Sequence, residues 1–372
     1  MSSNNQWFRL SNAAAIDSPA LLVFPERVAH NIQLAIKMIG DVKRLRPHVK
    51  THKCAEITAM MMAAGIQKFK GATIAEAEML GMAKAADVLL AYQPVGPKLQ
   101  RFIQLIKKYP DTLYSCLTDN LTSAREQSIA FTQAGLNVPV YIDLNVGMNR
   151  TGIIPGEEAV ALYHFCNTAP GILIQGLHAY DGHITNADFD KRKKEADEVY
   201  SQVEAFVEKI KTTDLRVPTI ILGGSPTFPV HCKRAAIECS PGTFVYWDQS
   251  YLANCTEQEF IPAAILLTRV VSIPAATMVC TDLGHKSVAA ESELSKRVFF
   301  PEQEYLKVTG HSEEHLLLEN LSTHIFKPGD ILYAIPWHIC PTVALYDSVI
   351  IIEKGNAVST WKNIARNREI SV

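Results

Sequence analysis

The alternation of element types between residues 42 and 240 limits what this chain can fold into more than any other feature. Strand-like runs fall at 42–50, 69–74, 87–92, 113–118, 138–145, 173–180, 219–223 and 235–240. Helical stretches at 54–65, 75–85, 97–108, 120–134, 156–167 and 187–211 separate most of them. The two kinds of run are told apart by a side-chain period near two residues in strands and near 3.6 in helices. Eight strand–helix units in about 220 residues match the size of a TIM-type (β/α)8 barrel. An open doubly wound sheet would bring a glycine-rich dinucleotide turn after its first strand, and the sequence has none there.

A short strand at Ser18–Phe24 and a helix at Pro25–Gly40 precede this alternation. After Tyr251 the texture changes. Apolar, β-branched runs at 264–271, 277–281, 298–300, 305–308, 315–319, 330–335 and 348–353 follow with few helical patterns between them. They predict a second, mostly antiparallel β domain. The expected division is a barrel over residues 15–255 and a β domain over 256–372, joined by residues 1–14.

Charge excludes one class of partner. With 36 Lys+Arg against 38 Asp+Glu the chain is close to neutral, which argues against nucleic acid. No apolar run is long enough to span a membrane. Met1–Gln6 has neither a basic start nor an apolar stretch, so no secretory leader is expected. The eight cysteines form no CxxC pair, and most lie in apolar runs. They read as reduced thiols of a cytoplasmic protein.

Barrel enzymes place chemistry at the C-terminal ends of the strands. The first strand run leads into Arg46-Pro-His-Val-Lys-Thr-His-Lys53, a cationic cluster before a helix. A lysine walled in by other cations suits Schiff-base chemistry, because neighbouring positive charge favours the free amine. The alternative reading is a basic surface loop. Strand seven leads into Leu222-Gly-Gly-Ser-Pro-Thr227 and strand eight into Ser240-Pro-Gly-Thr-Phe244. Small, hydroxyl-bearing loops at those two strands are where barrels cradle phosphate, although each alone is also an ordinary tight turn. A phosphate cradle and an amine trap together suggest pyridoxal 5'-phosphate (PLP).

The strand-end lysine, Met148-Asn-Arg-Thr-Gly152 and the Pro241-Gly242 loop before a β domain resemble the fold-type III PLP enzymes, the alanine racemase group. Within that group, Arg46–Lys53 and Pro336-Trp-His-Ile-Cys-Pro-Thr342 are similar to the D-serine dehydratase / D-threonine aldolase family. The resemblance implies Lys50 as the Schiff-base lysine and places Arg150 at the pyridine nitrogen. It sets Tyr180 against the cofactor and Ser225, Gly242 and Thr243 at its phosphate. An arginine partner leaves the ring nitrogen unprotonated, so the ring withdraws electrons less strongly.

The same resemblance implies a divalent metal, with zinc first, on His338 and Cys340. Read as an extended segment, His-x-Cys puts both side chains on one face, and an imidazole with a thiolate suits zinc. Metal activation of a β-hydroxyl serves either elimination or retro-aldol cleavage. His-x-Cys favours a dehydratase of D-serine or D-threo-3-hydroxyaspartate. So does Asn186, because aldolase-like members carry a histidine shortly after the strand-six tyrosine, whereas here His183 follows Tyr180 by three. Thr281–Lys286 and Trp337 depart from the family pattern. A racemase is the further alternative. It needs a tyrosine from the β domain, and Tyr251, Tyr305 and Tyr333 sit in no racemase-like motif. The expected partner is a small D-amino acid, and the resemblance implies a homodimer.

Overall fold

The computed structural model describes residues 6–211 and 218–372 and divides the chain into two compact units. The leader reading of the first residues falls largely outside the described range, as does residues 1–5 of the expected β domain. One unit holds Gln33–Lys50, Ile57–Gly242 and Ala365–Val372. The other holds the residues up to Ile32, Thr51–Glu56 and Thr243–Ile364.

Strand β1, Ala20–Val23, belongs to neither edge of the barrel. It pairs antiparallel with a later strand, Leu22 facing Ile265, and parallel with another, Leu22 facing Ile350. The barrel unit is built on β2 (Lys68–Gly71), β3 (Asp87–Leu90), β4 (Leu113–Thr118), β5 (Val138–Leu144), β6 (Ile172–Ala179), β7 (Thr219–Leu222) and β8 (Ile237–Cys239). They form a parallel sheet in sequence order. Helices Ile74–Met82, Pro97–Lys108, Leu121–Gln133, Glu157–Thr168 and Phe189–Lys211 connect consecutive strands. Their starts are written locally. The Thr73 hydroxyl accepts the Glu76 N–H at 3.1 Å, while the Glu76 carboxylate accepts the Ala72 N–H at 2.6 Å. This reciprocal cap satisfies donors that a helix start leaves open. Pro97–Lys108 buries Leu99, Phe102, Ile103 and Leu105, a helical stripe.

The expected strand over 42–50 is not a strand. Val42–Arg44 and Val49–Thr51 are 3₁₀ turns, the first capped by Asp41 accepting the Lys43 N–H. Only residues 45–48 between them are extended enough to pair. Leu45 bridges Cys239 and His48 bridges Lys70, both parallel. Arg46 donates to the Cys239 carbonyl, His48 to the Pro241 carbonyl, and Lys70 to the Pro47 carbonyl. Pro47 has no N–H to give, which limits ladder formation here. The short segment nonetheless bonds β8 on one side and β2 on the other, closing the barrel at the position of strand one.

In the second unit β1 lies in a sheet with β9 (Ala264–Ala275), β10 (Met278–Thr281), β11 (Val298–Phe299), β12 (Leu306–His311), β13 (Leu316–Asn320), β14 (Ile331–Pro336), β15 (Ser348–Glu353) and β16 (Asn356–Lys362). The path is β12-β13-β10-β9-β1-β15-β16, with β14 on β9 and β11 on β14. All these pairs except β1–β15 are antiparallel. Phe8, Leu22, Phe24, Ile265, Leu267, Tyr333, Ile335 and Ile352 form a core cluster against it. The polar strand β16 is absent from the sequence expectation. It is largely exposed and joins β15 through Lys354 and Gly355, both at positive φ (48° and 74°), a two-residue turn whose twist suits a hairpin.

Candidate active site

Parallel pairing fixes which side chains share the barrel interior, because paired residues of neighbouring strands point the same way. Lys70 pairs with Leu89, Leu117 with Tyr141, Asp143 with His178, and His178 with Ile221. Leu89, Leu117, Tyr141 and Ile221 form an apolar cluster. At the start of the strands, Arg46 is fully buried and doubly bonded to Asp87 at 2.7 and 2.9 Å. Its Nε donates to Glu238 at 2.8 Å, and Lys68 also pairs with Glu238. Burial opposes the Arg46 charge, but the Asp87 bonds and both carboxylates outweigh it and raise its pKa. Arg46 thus holds the barrel floor, and its guanidinium is committed to those carboxylates.

Lys50, Arg150 and Lys70 surround one ring. The Nζ atoms of Lys50 and Lys70 lie 5.8 and 5.7 Å from the Tyr180 ring centre, and the Arg150 guanidinium carbon lies 5.2 Å from it. Such positions over an aromatic face attract cations. Lys50 is half-buried, and its N–H donates to His48 Nδ1 at 3.2 Å. Lys70 is 3% exposed. Burial, and then the charge of Lys50, hold its pKa down to about 7, against the pull of Asp143. Its Nζ stands 3.4 Å from His178 Nε2, and His178 Nδ1 donates to Asp143 at 2.7 Å.

The two hydroxyl–glycine loops are tied to one another and to a second buried dyad. Gly242 donates its N–H to Ser225 Oγ at 3.2 Å, and Gly224 donates to Thr227 Oγ1 at 3.3 Å. The Thr227 hydroxyl donates to Asp181 at 3.0 Å, and His231 Nε2 donates to the same carboxylate at 2.8 Å. Arg234 donates to His231 Nδ1. A Cβ on Gly223, where φ is +84°, would stand 2.7 Å from the His231 ring. One on Gly224 would stand 3.0 Å from Tyr180. These loops therefore need glycine where they pass the imidazole and the phenol. An amine, a guanidinium and a phenol with glycine–hydroxyl loops at strands seven and eight make a set that fits PLP.

The second unit carries the other predicted residues. His338 is the extended residue that starts the helix Ile339–Val343, and Cys340 lies in its first turn. The two do not share a face of an extended segment, as the sequence reading supposed. The helix turn brings them together instead: Cys340 interacts with the imidazole, which also bonds Glu291 through Nδ1 at 2.5 Å. Burial disfavours the His338 charge, yet Cys340 and Glu291 outweigh it and raise its pKa to about 9. Asp248, buried, accepts the Ile339 N–H at 3.0 Å and the Tyr251 N–H at 3.1 Å, fixing the peptide between His338 and Cys340. The Cys340 sulfur meets Thr51 Oγ1 at 3.1 Å and Thr243 Oγ1 at 3.7 Å. Among the described residues no group of three His, Cys, Asp or Glu side chains stands ready for a metal. An imidazole with a carboxylate on its far nitrogen, beside a thiol, nevertheless fits a two-residue site for a borderline cation.

Sequence reasoning reached Lys50, Arg150, Tyr180, Ser225 and Gly242, which lie in the barrel unit, and Thr243, His338 and Cys340, which lie in the other. It missed Lys70, His178 with Asp143, Glu291 and Asp248. The signal for Lys70 was a second lysine two residues after Lys68, on the face that closure turns inward. All eight cysteines are free thiols, six of them buried. Among the described residues no helix is long and apolar enough to cross a membrane.

The family description "Alanine racemase, N-terminal domain" matches residues 24–250, and "Putative serine dehydratase domain" matches residues 263–352. A D-threonine aldolase of Arthrobacter sp. is 26% identical over 361 residues, covering 95% of this chain and 93% of that protein. A D-threo-3-hydroxyaspartate dehydratase of Delftia sp. is 21% identical over 383 residues, covering 94% and 97%. Solved structures of a D-threo-3-hydroxyaspartate dehydratase include variants at a histidine and, two residues on, at a cysteine, the latter metal-free. The crystal structure of D-threonine aldolase from Filomicrobium marinum superimposes with a TM-score of 0.88 at 26% identity, covering 95% of this chain and 96% of that one. A closed parallel barrel followed by this antiparallel sheet, matched over both parts, means that the chain belongs to the alanine racemase N-terminal domain family, in the branch that carries a serine dehydratase domain.

Proposed function

We propose that this protein is a PLP- and metal-dependent lyase acting on D-β-hydroxy amino acids. In this reading it is a dehydratase that converts D-serine or D-threo-3-hydroxyaspartate to a 2-oxo acid and ammonia. The observation that carries the proposal is the set of cations around Tyr180, with a Schiff-base candidate, Lys50, beside glycine–hydroxyl loops. Bound PLP would supply an electrophilic aldehyde and an electron-withdrawing ring, and a divalent metal would supply Lewis acidity toward the β-hydroxyl.

The chain's own residues have distinct tasks. The Lys50 amine would hold the cofactor and, as a free amine, would take the proton from Cα. Arg150 would be the partner of the ring nitrogen, and Tyr180 would pack against the ring. Ser225, Gly242 and Thr243 would hold the phosphate. His338 and Cys340 would hold the metal, with Glu291 fixing which imidazole nitrogen is free to bind it. As the Cα–H bond breaks, its electron pair would form the Cα–Cβ double bond, and the β-hydroxyl would leave with its C–O pair and take up the proton that Lys50 received, giving water. The enamine that remains hydrolyses to the 2-oxo acid and ammonia.

What favours dehydration is the histidine–cysteine pair, also present at that spacing in a D-threo-3-hydroxyaspartate dehydratase. What favours the alternative, a D-threonine aldolase giving glycine and an aldehyde, is the 26% identity with the Arthrobacter enzyme over most of both chains. One assay separates them. Protein supplied with PLP and zinc is incubated with D-serine, D-threonine and D-threo-3-hydroxyaspartate, and keto acid and glycine are measured. Keto acid with ammonia is the expected result. Glycine without keto acid selects the aldolase, and full activity after EDTA removes the metal from the proposal.

A further inference from the structure

Lys70 has no task in the reaction described above, yet it is the more deeply buried of the two lysines beside Tyr180. It comes from β2, its imidazole partner from β6 and the carboxylate from β5. The tautomer of His178 follows from its neighbours. Asp143 can only accept from Nδ1–H when ionised, so Nε2 of the neutral ring presents a lone pair to Lys70. Lys70 then donates to Nε2 whether it is an amine or an ammonium. As an amine it keeps one lone pair to receive a proton. As an ammonium it is compensated across the His178 ring by the Asp143 carboxylate, while burial and Lys70 itself disfavour charge on that ring. The row of three thus has one place for a proton, at Lys70 Nζ, and one fixed anion to compensate it.

We propose that Lys70, His178 and Asp143 form a buried proton-holding unit that takes from Lys50 the proton it must lose to become a free amine, and returns it when Lys50 is released. This rests on the reading of Lys50 as the reactive amine. The exchange balances: an N–H bond of the Lys50 ammonium breaks, one forms at Lys70 Nζ, and no electrons change hands. Two ammonium groups beside one ring repel each other, which favours a single proton between them. The charged groups that act on Lys70 are Lys50 and Arg46 from the closing segment, Asp143 from β5 and Asp181 after β6. Lys70 and Arg150 oppose charge on His178, and Asp143 favours it. Lys70 works through Lys50 and is a positioning residue for proton transfer.

The direct test is a titration of the protein without cofactor. Lysine labelled with ¹³C at Cε is incorporated, and the resonance absent from Lys70→Met is followed from pH 5 to 11. The expected midpoint lies at least two pH units below that of the exposed lysines, and Asp143→Asn moves it lower still. A midpoint among the exposed lysines overturns the proposal. In the PLP-loaded enzyme, Lys70→Met is expected to lower kcat about 100-fold, within the usual range for a lost acid–base group, with KM within threefold and the limb of the pH profile near neutrality displaced. An unchanged kcat and pH limb also overturns it. If Lys70→Met does not fold, His178→Gln carries the kinetic test and identifies the resonance by its displacement. If the wild type cleaves no D-β-hydroxy amino acid, the lyase reading fails while the titration still decides the state of Lys70.

Discussion

Arg46 in the barrel unit is wholly buried between Asp87 and Glu238, whereas His338 and Glu291 in the other unit meet with 48% of each side chain exposed. The two units therefore handle charge differently. A closed ring of strands points every second side chain into one enclosed space, so a polar residue on that face must find a partner inside it. Arg46, Lys70, Asp143 and His178 all do so. An open antiparallel sheet buries one face and leaves reactive groups to its loops and short helices, as with His338 and Cys340 at the start of Ile339–Val343. Ionisation in the barrel is set by burial and by neighbours on other strands. Around His338 burial is opposed and outweighed by Cys340, Glu291 and Asp248.

Breaking each unit's charged group should expose that contrast. The largest effect is expected at Lys50→Ala, which should lower turnover of the D-amino acid substrate about 1,000-fold or more, measured as kcat for keto acid release. In the barrel floor, Glu238→Gln should cost about 3–5 kcal/mol in chemical denaturation, since it weakens the pairing of a buried guanidinium. The matching change in the other unit, Glu291→Gln, should cost no more than about 1 kcal/mol, because its pair is half in water. Its effect should appear in metal affinity instead, as a loss of about 10–100-fold in zinc competition titrations. Equal destabilisation by the two substitutions would dissolve the contrast.

Lys70 sharpens the comparison through pH. Its folded pKa of about 7 lies below the 10.5 of an unhindered lysine. Between those values the unfolded chain holds a proton that the folded chain lacks, so stability should rise with pH across that window. Lys70→Met should flatten this rise, as measured by urea midpoints at pH 7 and pH 10. Asp248 gives the opposite slope in the other unit. Burial raises its pKa from 3.8 to about 6, against the two N–H bonds it accepts. The folded chain then binds the extra proton between those values, and this residue's contribution should fall as pH rises from about 4 to 6. Asp248→Asn should remove that fall. It should also cost about 1–3 kcal/mol, because an amide cannot accept from both the Ile339 and Tyr251 N–H groups.

Much of the fold was legible because its period is local. The strands from Lys68 to Cys239 stand close to where the alternation put them, and so do most strands after Ala264. Strand one was misread because Arg46–His48 pairs only through isolated bridges, which apolar spacing does not report. The strand at Ser18–Phe24 was legible, but not its partners, since β9 and β15 lie hundreds of residues away. Strand β16 escaped because an exposed edge needs no apolar alternation.

The candidate site divides in the same manner. The two glycine–hydroxyl loops were named from residue type and position along the chain, whereas Lys50 and the His338–Cys340 pair were named through the family resemblance of their motifs. Lys70 was not, because a lysine in a strand reads as solvent-facing until the barrel closes around it. Nor could spacing reveal Glu291 behind His338, or Asp248 behind Ile339, since each pair is separated by tens of residues.

The sequence alone determined the order of elements and the kinds of reactive group, since both depend on contacts within a few residues. Only the tertiary structure decided which lysine is half-buried beside Tyr180 and which lies buried against His178. It alone showed that Arg46 holds the barrel floor, because the energy of a charge depends on what the fold brings around it.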